Sequence, residues 1–374
     1  MSSFARTDTS LLGRWWWTID RWTLLSVAVL MGLGAILILA ASPAVSERIG
    51  LGAFSLAKRQ LVLLPLAGAM MFAMSLLSPR WVRRAAVFGF LGSLLLMVAT
   101  LMIGPEIKGA TRWINLGGFS LQPSEFVKPC FAVVAAWMFA LGKEQENFAG
   151  AGVAFGLWTL VVLLLLLQPD FGQAFVVSAV FGVQFFLAGL PMLLVAALAL
   201  LGIGGIFGAY FLLPHVTQRI DSFFDPDVGD RYQIERSMEA FMNGGLFGRG
   251  PGEGTVKLYL PDAHADFVFA VAGEELGLIA CLLIVGIFAF VVLRGFTRLL
   301  GENNLFVMLA ATGLLTQFGL QALINMGSAL HLMPTKGMTL PFISYGGSSL
   351  MALALGMGMV LALTRRRVGT GDGQ

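Results

Sequence analysis

Long runs of apolar residues, each about as long as a bilayer is thick, constrain this 374-residue chain more than any other feature. A run of about 20 residues spans the hydrocarbon core when it forms an α-helix. Because 57% of the residues are hydrophobic and only 12% are charged, a water-soluble enzyme of this length is excluded. The sequence predicts an all-α polytopic membrane protein with about ten transmembrane helices, over residues 22–41, 54–77, 82–103, 124–141, 150–167, 172–188, 191–213, 267–293, 305–330 and 342–364.

Clusters of arginine beside the apolar runs predict the orientation of the helices. With ten helices, three clusters fall on one side: Arg6, Arg14 and Arg21; Arg80, Arg83 and Arg84; Arg365, Arg366 and Arg367. Positive charge resists translocation, so this side is predicted to be cytoplasmic. The expected organisation is a cytoplasmic N-terminal segment (1–21), a membrane domain (22–364) and a cytoplasmic C-terminal tail (365–374). The longest loop, 214–266 between the seventh and eighth helices, then faces outward.

Several functional classes have little support in the composition. The net charge is only +3 and the basic residues lie next to apolar ends, so no nucleic-acid partner is expected. The two cysteines, Cys130 and Cys281, lie in apolar segments and indicate neither a disulfide framework nor a metal cluster. The glycine-rich run 244–254 follows no strand, so it is not a nucleotide fingerprint and no organic cofactor is expected. Tight turns are its default interpretation, with close backbone approach or a lid as alternatives.

Ionisable residues converge on the predicted outer side of the membrane. Such residues are expensive at or near the hydrocarbon core, so each is a functional hypothesis with a structural ion pair as its alternative. The set comprises Lys108, Arg112, Glu125, Lys128, Asp170, Asp266 and Lys336, with Glu274 and Glu275 further along the eighth helix.

Three of these residues have specific alternatives. Glu125 and Lys128 are three residues apart on a helix, so they share a face and either pair structurally or serve a substrate. Asp266 is predicted in the first turn of the eighth helix, where it either caps that helix or acts as a general base. Lys336 lies in an irregular segment between two prolines, where it either meets an anion or extends to the headgroups.

The outer loop contains a stretch with helical periodicity. Ile234, Met238, Phe241 and Met242 recur at helical spacing and charged residues lie between them. This pattern predicts an amphipathic helix that either lies along the outer leaflet or packs on the membrane domain.

The motifs of this chain, taken in order, resemble those of the SEDS family (shape, elongation, division and sporulation). The resemblance spans nearly the whole chain, and the segment from Pro334 to Pro341 resembles the division-type members more than the elongation-type members. The motifs are Arg112-Trp113, Gln122-Pro123-Ser124-Glu125, Gln168-Pro169-Asp170, Tyr232-Gln233, the glycine run, Asp262 to Gly277, and Asn325 to Ser349.

The resemblance implies the ten-helix SEDS fold and polymerisation of lipid II into glycan strands during septal division. It also implies a class B penicillin-binding protein and other division proteins as partners, and an essential aspartate at Asp266. On this basis we predict that Asp266 is the catalytic base that receives a proton from the acceptor hydroxyl. The predicted substrate-binding residues are Arg112, Trp113, Glu125, Lys128, Asp170, Lys336 and Ser348.

A divalent cation, Mg²⁺ or Mn²⁺, is a further expectation, with Glu125 and Asp170 as candidate ligands, although no ligand set is diagnostic. Three other functions remain open from sequence: a flippase that moves lipid II, an elongation-type polymerase, and a noncatalytic scaffold. A flippase is expected to carry polar positions on both membrane faces, whereas the inner halves of these helices contain few ionisable groups.

Overall fold

A computed structural model describes residues 10–48, 50–106, 109–117, 119–189, 191–212, 217, 221, 232–334 and 337–366. Within these residues the chain forms twelve α-helices and one short hairpin. The helices are α1 (Leu11–Thr18), α2 (Arg21–Arg48), α3 (Ser55–Ser75), α4 (Pro79–Ile103), α5 (Pro123–Glu144), α6 (Gly150–Leu167), α7 (Phe171–Leu187), α8 (Met192–Leu212), α9 (Tyr232–Gly244), α10 (Val268–Leu299), α11 (Leu305–Ala329) and α12 (Gly347–Leu363). The hairpin pairs β1 (Ile114–Leu116) with β2 (Phe119–Leu121), antiparallel.

The ten predicted spans correspond to α2–α8 and α10–α12, which confirms the all-α membrane fold. Seven of these helices in the described residues are long and apolar enough to cross a bilayer. Two others, α7 and α12, are apolar but only 17 residues long. The remaining one, α8, is an uninterrupted apolar helix of 21 residues.

Three helices form the centre of the bundle. In α5, 78% of the apolar window is buried, and in α11 the share is 72%, against 28–33% in the other five spans. In the shorter α12, all residues except Gly347, Met351 and Leu355 are buried. The outer helices bury one side against these three helices and expose the other, as membrane helices do toward lipid. Residues carried by α5 and α11 are therefore well placed to organise a buried site.

Described arginines of the first and third predicted clusters lie at one end of the bundle, which we call the arginine end, whereas Arg6 and Arg367 lie outside the described residues. Asp20, just before α2, accepts hydrogen bonds from Arg294 Nε at 2.7 and 3.0 Å and is paired with Arg298 at 2.9 Å. Arg365, after α12, donates to Thr18 and to the carbonyls of Ser75 and Leu76. Helix α1 lies at this end and was not predicted.

Several predicted boundaries are wrong, for identifiable reasons. Helix α2 continues to Arg48, beyond the predicted end at 41, because Ser42 and Ser46 are buried and hydrogen-bonded instead of ending the helix. Helix α12 begins at Gly347 and not at 342, because Phe342 has a positive φ of 64° that a helix cannot accommodate. Hydropathy does not report the burial of polar side chains or the local backbone geometry, and these fix the two helix ends.

The predicted amphipathic helix is present as α9, and it packs on the membrane domain. Its buried residues are Ser237, Ala240 and Gly244, although the apolar pattern had suggested a face containing Met242, which is 74% exposed. A side chain at Gly244 would overlap the backbone at Gly273 of α10. Small residues therefore form this contact, because the two helices approach more closely than a larger side chain allows.

The glycine-rich run packs backbone to backbone against a break in α10. Gly277 interrupts that helix with φ 80° and ψ 179°, a conformation open to glycine alone. The freed groups bond to the run: Arg249 N–H donates to Glu274 O at 3.0 Å, and Leu278 N–H donates to Gly245 O at 2.9 Å. Close backbone approach is thus the reason for the glycines.

Candidate functional site

Asp266 lies in a turn that immediately precedes α10. The helix begins at Val268 with Phe267 as its N-cap, and the Phe267 side chain makes no capping hydrogen bond. The prediction that Asp266 lies in the first helical turn is therefore wrong, whereas its interpretation as a helix cap stays a prediction. The cause is the turn itself: Asp262 has φ 50°, and its carbonyl accepts the N–H groups of Ala265 and Asp266 at 3.0 and 3.1 Å. The half-buried side chain of Asp266 is left outside the helix.

A second segment, residues 337–346, crosses next to this turn. A Cβ atom added at Gly337 would lie 3.7 Å from Asp266 Oδ2, so the backbone of the segment borders the carboxylate. Ser344 Oγ donates to Ala265 O at 2.6 Å, and Tyr345 N–H donates to His264 O at 2.8 Å. The turn and the segment therefore form one hydrogen-bonded unit around Asp266.

His264 lies within this unit, where its ring packs against Tyr345 at a centroid distance of 5.3 Å with the ring planes tilted by 46°. Burial lowers the pKa of His264, although the nearby charge of Asp262 acts in the other direction. The imidazole is consequently neutral at pH 7.

Glu125 and Lys128 pair with each other in the centre of the bundle, as their spacing predicts. Lys128 Nζ lies 2.9 Å from Glu125 Oε2, and the two side chains are only 2% and 7% exposed. Glu125 also accepts a 2.6 Å hydrogen bond from Gln173 Nε2, and Lys128 donates to Gln321 Oε1 at 3.2 Å. In this arrangement Lys128 is enclosed by protein groups, and its predicted role in substrate binding stays a prediction.

Asp170 and Arg112 lie beside this pair. Asp170 caps α7 through the N–H of Gln173 at 3.4 Å and accepts from Gln122 Nε2 at 3.3 Å. Arg112 Nη1 lies 3.9 Å from Asp170 Oδ1, and its guanidinium also donates to the carbonyls of Gln168 and Pro169. Burial raises the pKa of Asp170, although Arg112 acts in the other direction.

Gln321 joins the Glu125–Lys128 pair to the segment next to Asp266. Its Nε2 lies 3.2 Å from both the carbonyl and the hydroxyl of Thr339. Thr339 in turn shares a 2.6 Å hydrogen bond with Ser349. A continuous polar network thus runs through one part of the molecule, and we call it the buried network: Arg112, Asp170, Gln173, Glu125, Lys128, Gln321, Thr339 and Ser349.

Two further predicted residues are placed by the hairpin. Ser348 Oγ accepts from Gln122 N–H at 3.0 Å and donates to Ser120 O at 3.1 Å, so it fastens α12 to β2. Trp113 is half-buried just before β1. Lys108 and Lys336 lie outside the described residues, so their predicted roles stay predictions.

Glu274 and Glu275 are buried, and each binds the outer loop. Glu274 accepts the N–H groups of Thr255, Val256 and Lys257 at 2.8, 2.8 and 3.0 Å, together with Asn243 Nδ2 at 3.0 Å. Glu275 is paired with the buried Lys257 ammonium group. Both carboxylates therefore hold the loop on α10.

The candidate cation ligands do not form a metal site by themselves. In the part of the chain that the structure describes, no three histidine, cysteine, aspartate or glutamate side chains are grouped as a metal site requires. Glu125 is paired with Lys128 and accepts a hydrogen bond from Gln173. Asp170 is paired with Arg112 and accepts a hydrogen bond from Gln122. These two carboxylates do not fit a dedicated cation site.

Sequence reasoning missed the amide side chains that join these groups. Gln317, Gln321 and Asn325 recur every four residues in the otherwise apolar α11, and all three are buried. Polar residues at helical spacing within a membrane span are the signal that could have identified them.

Comparison with known proteins gives a consistent family. A family model described as "Cell cycle protein", covering FtsW, RodA and SpoVE, matches residues 21–368. A probable peptidoglycan glycosyltransferase FtsW from Caulobacter vibrioides is 48% identical over 368 residues, covering 98% of this chain and 94% of that protein. The FtsW of Coxiella burnetii, which has the same description, is 37% identical and covers 93% of this chain and 96% of its own.

Solved structures agree with the sequence comparison. One is a peptidoglycan synthase complex that coordinates polymerization and crosslinking; its matching chain is 30% identical with a TM-score of 0.75, covering 92% of this chain and 97% of that one. The rod shape determining protein RodA of Thermus thermophilus is 30% identical with a TM-score of 0.68, covering 93% and 97%. The chain therefore belongs to the FtsW/RodA/SpoVE family, the SEDS proteins.

Proposed function

We propose that this protein is a division-type peptidoglycan glycosyltransferase that polymerises lipid II into glycan strands on the outer face of the cytoplasmic membrane. The observation that carries the proposal is the geometry around Asp266. A half-buried carboxylate borders the 337–346 segment, and the buried network lies against the same segment through Gln321. This arrangement offers a base and cationic groups inside a membrane bundle, which a lipid-linked sugar substrate requires.

The proposed reaction is a single displacement with inversion at the anomeric carbon. The 4-hydroxyl of the acceptor sugar attacks the anomeric carbon of the donor, and Asp266 receives the hydroxyl proton. The new bond joins the acceptor oxygen to that carbon, while the bond to the pyrophosphate oxygen breaks and the lipid pyrophosphate leaves with the electron pair. Proton transfer to a positioned carboxylate typically contributes about 10²–10⁴-fold to such a rate.

Arg112 is the described cation best placed for the leaving pyrophosphate. Its side chain is 28% exposed, whereas that of Lys128 is 2% exposed and paired. A guanidinium that exchanges carbonyl partners for phosphate oxygens can offset the charge that develops on the leaving group. Lys336 stays a second candidate on sequence grounds. Dependence on Mg²⁺ or Mn²⁺ stays open to test by chelation and re-addition, and no step above requires it.

The setting of the enzyme follows from the same proposal. The arginine end faces the cytoplasm under the positive-inside rule, with both termini on that side. The Asp266 end then faces outward, where lipid II presents its sugars. The proposed partner is a class B penicillin-binding protein that crosslinks the strands, together with other division proteins at the septum. A chain similar to this one occurs in a peptidoglycan synthase complex that coordinates polymerization and crosslinking, which supports such a pairing.

Polymerisation of purified lipid II by the detergent-solubilised protein with its cognate transpeptidase tests the proposal. Asp266→Asn is expected to lower polymer formation by at least about 10²-fold, because an amide cannot accept the proton. The matched control is Asp262→Asn in the same turn, which is expected to retain activity because asparagine tolerates the positive φ found there.

Folding and transpeptidase binding are matched among the three proteins before rates are compared. Equal polymer formation by Asp266→Asn and wild type would remove Asp266 from the chemistry. No polymer from an intact wild-type complex would instead favour a flippase, which a lipid II translocation assay in vesicles detects, or a scaffold.

A further inference from the structure

We infer that Asn325 is a positioning residue for the polymerase reaction, holding Asp266 in place through the main chain. Asn325 lies in the central helix α11 and is 1% exposed. Its Nδ2 donates to two backbone carbonyls, Asp266 O at 2.9 Å and Met338 O at 2.6 Å. One amide group thus joins the proposed base to the segment that crosses beside it. The inference rests on the proposed function, because it assigns Asn325 a role in that reaction.

The NH₂ group of Asn325, and not its carbonyl oxygen, makes the hydrogen bonds of this side chain. Within the described residues, Asn325 Oδ1 is buried and accepts no hydrogen bond, whereas the NH₂ group makes two. A buried carbonyl that loses its donor bears the full cost of desolvation. The hydrogen bond to Met338 O is buried and that to Asp266 O is partly buried, so loss of the donor is expected to let the Asp266 turn and the 337–346 segment move apart.

The bonded atoms explain why such a movement affects the carboxylate. The carbonyl of Asp266 belongs to the same residue as the reacting group, so its hydrogen bond restrains the direction of the Cα–Cβ bond. The neighbouring position at Gly337 is within 3.7 Å of Asp266 Oδ2, measured to an added Cβ atom. A shift of about 1 Å in a reacting group can lower a rate about 10²-fold.

Asn325 acts from the same helix as Gln321, one turn away. Gln321 links Lys128 to Thr339, and Asn325 links Asp266 to Met338, so α11 fixes the 337–346 segment at two adjacent points. Gln317, one turn further, is buried as well, but among the described residues its side chain makes no hydrogen bond to the Asp266 turn or to the 337–346 segment. Gln317 is therefore a suitable control for the loss of a buried amide from this helix.

Steady-state kinetics of lipid II polymerisation by the protein in complex with its transpeptidase provide the test. Asn325→Leu removes the amide while keeping the number and branching of the side-chain heavy atoms, and Asn325→Asp keeps the shape while removing the NH₂ donor. Both are expected to lower kcat by about 10- to 100-fold while KM and lipid II affinity stay within about 3-fold of wild type. Gln317→Leu is expected to retain wild-type kcat.

The outcomes separate this inference from the proposed function. Wild-type kcat in Asn325→Asp, with Asp266→Asn inactive, overturns the positioning role and leaves the polymerase assignment intact. The positioning role is also overturned if kcat and lipid II affinity fall equally. It is overturned as well if both Asn325 variants melt far below Gln317→Leu, because Asn325 then contributes only to general stability. Wild-type activity in Asp266→Asn instead contradicts the proposed function itself.

Discussion

Replacement of Glu274 by glutamine is expected to release the outer loop from α10 without unfolding the bundle. Glu274 is fully buried, and its carboxylate accepts four hydrogen bonds. Three of them, from Asn243, Thr255 and Val256, reach Oε1, and that of Lys257 N–H reaches Oε2. In glutamine the oxygen can serve the first three donors, and the NH₂ group then faces Lys257 N–H, donor against donor.

The magnitude follows from these contacts. An unsatisfied buried N–H costs about 1–3 kcal/mol, and each remaining bond loses about 1 kcal/mol when its acceptor is no longer charged. Relief from burying a charge offsets part of this sum. A net loss of about 3 kcal/mol in local stability is therefore expected. Because 1.4 kcal/mol corresponds to tenfold, the amides of Thr255, Val256 and Lys257 should exchange hydrogen about 100-fold faster.

Hydrogen–deuterium exchange of the protein in detergent or nanodiscs measures this effect directly. The control is Glu253→Gln, an exposed carboxylate in the same loop, for which exchange should match wild type. Exchange at 255–257 that changes by less than about threefold in Glu274→Gln would refute the view that this carboxylate holds the loop. Faster exchange throughout α10 and α11 would refute the claim that the effect is local.

Two further predictions concern other contacts. At the arginine end, burial acts to raise the pKa of Asp20, but the hydrogen bonds from Arg294 and Thr23 and the charge of Arg298 outweigh burial, so the pKa is lowered. Asp20→Asn should lower the free energy of unfolding by about 2 kcal/mol at pH 7. A carboxyl group whose pKa is lowered by folding stabilises the folded state at pH values above its unfolded pKa, and this stabilisation is lost as the pH falls. In thermal melting, the stability difference between wild type and Asp20→Asn should therefore shrink below about pH 4. A difference that does not depend on pH would contradict the ion pair. Gly248→Ala should lower the free energy of unfolding by at least about 2 kcal/mol in a melting experiment, because φ is 79° and the new Cβ would overlap Glu275 O. The control is Gly286→Ala, which should leave stability unchanged because no atom lies within 4 Å of the new Cβ.

Hydropathy predicted the spans because a membrane helix must be apolar over its length, but it could not predict where helices end. Burial of Ser42 and Ser46 extends α2, and the positive φ of Phe342 delays α12. The three-residue strands β1 and β2 are too short for any periodicity, and the eight-residue α1 is too short for a span. These elements depend on contacts with distant parts of the chain, which a local pattern does not contain.

The site shows the same division between local and distant information. The Glu125–Lys128 pair was predictable because the spacing of three places both residues on one helix face. The contact between Arg112 and Asp170 was not, because 57 residues separate Arg112 from the carbonyl it bonds at Pro169. The position of Asp266 outside α10 depends on the left-handed conformation of Asp262, which its residue type permits but does not require.

The distribution of charge around the buried network indicates how the site can receive an anion. Glu125 and Lys128 neutralise each other at 2.9 Å, so this pair offers little net charge to a pyrophosphate. The Arg112–Asp170 contact is looser at 3.9 Å, and the Arg112 side chain is 28% exposed, whereas that of Lys128 is 2% exposed. An entering phosphate can therefore compete for Arg112 more readily than for Lys128. Under the proposed mechanism, Arg112 is therefore the cation expected to meet the leaving pyrophosphate, and the Glu125–Lys128 pair is expected to stay intact.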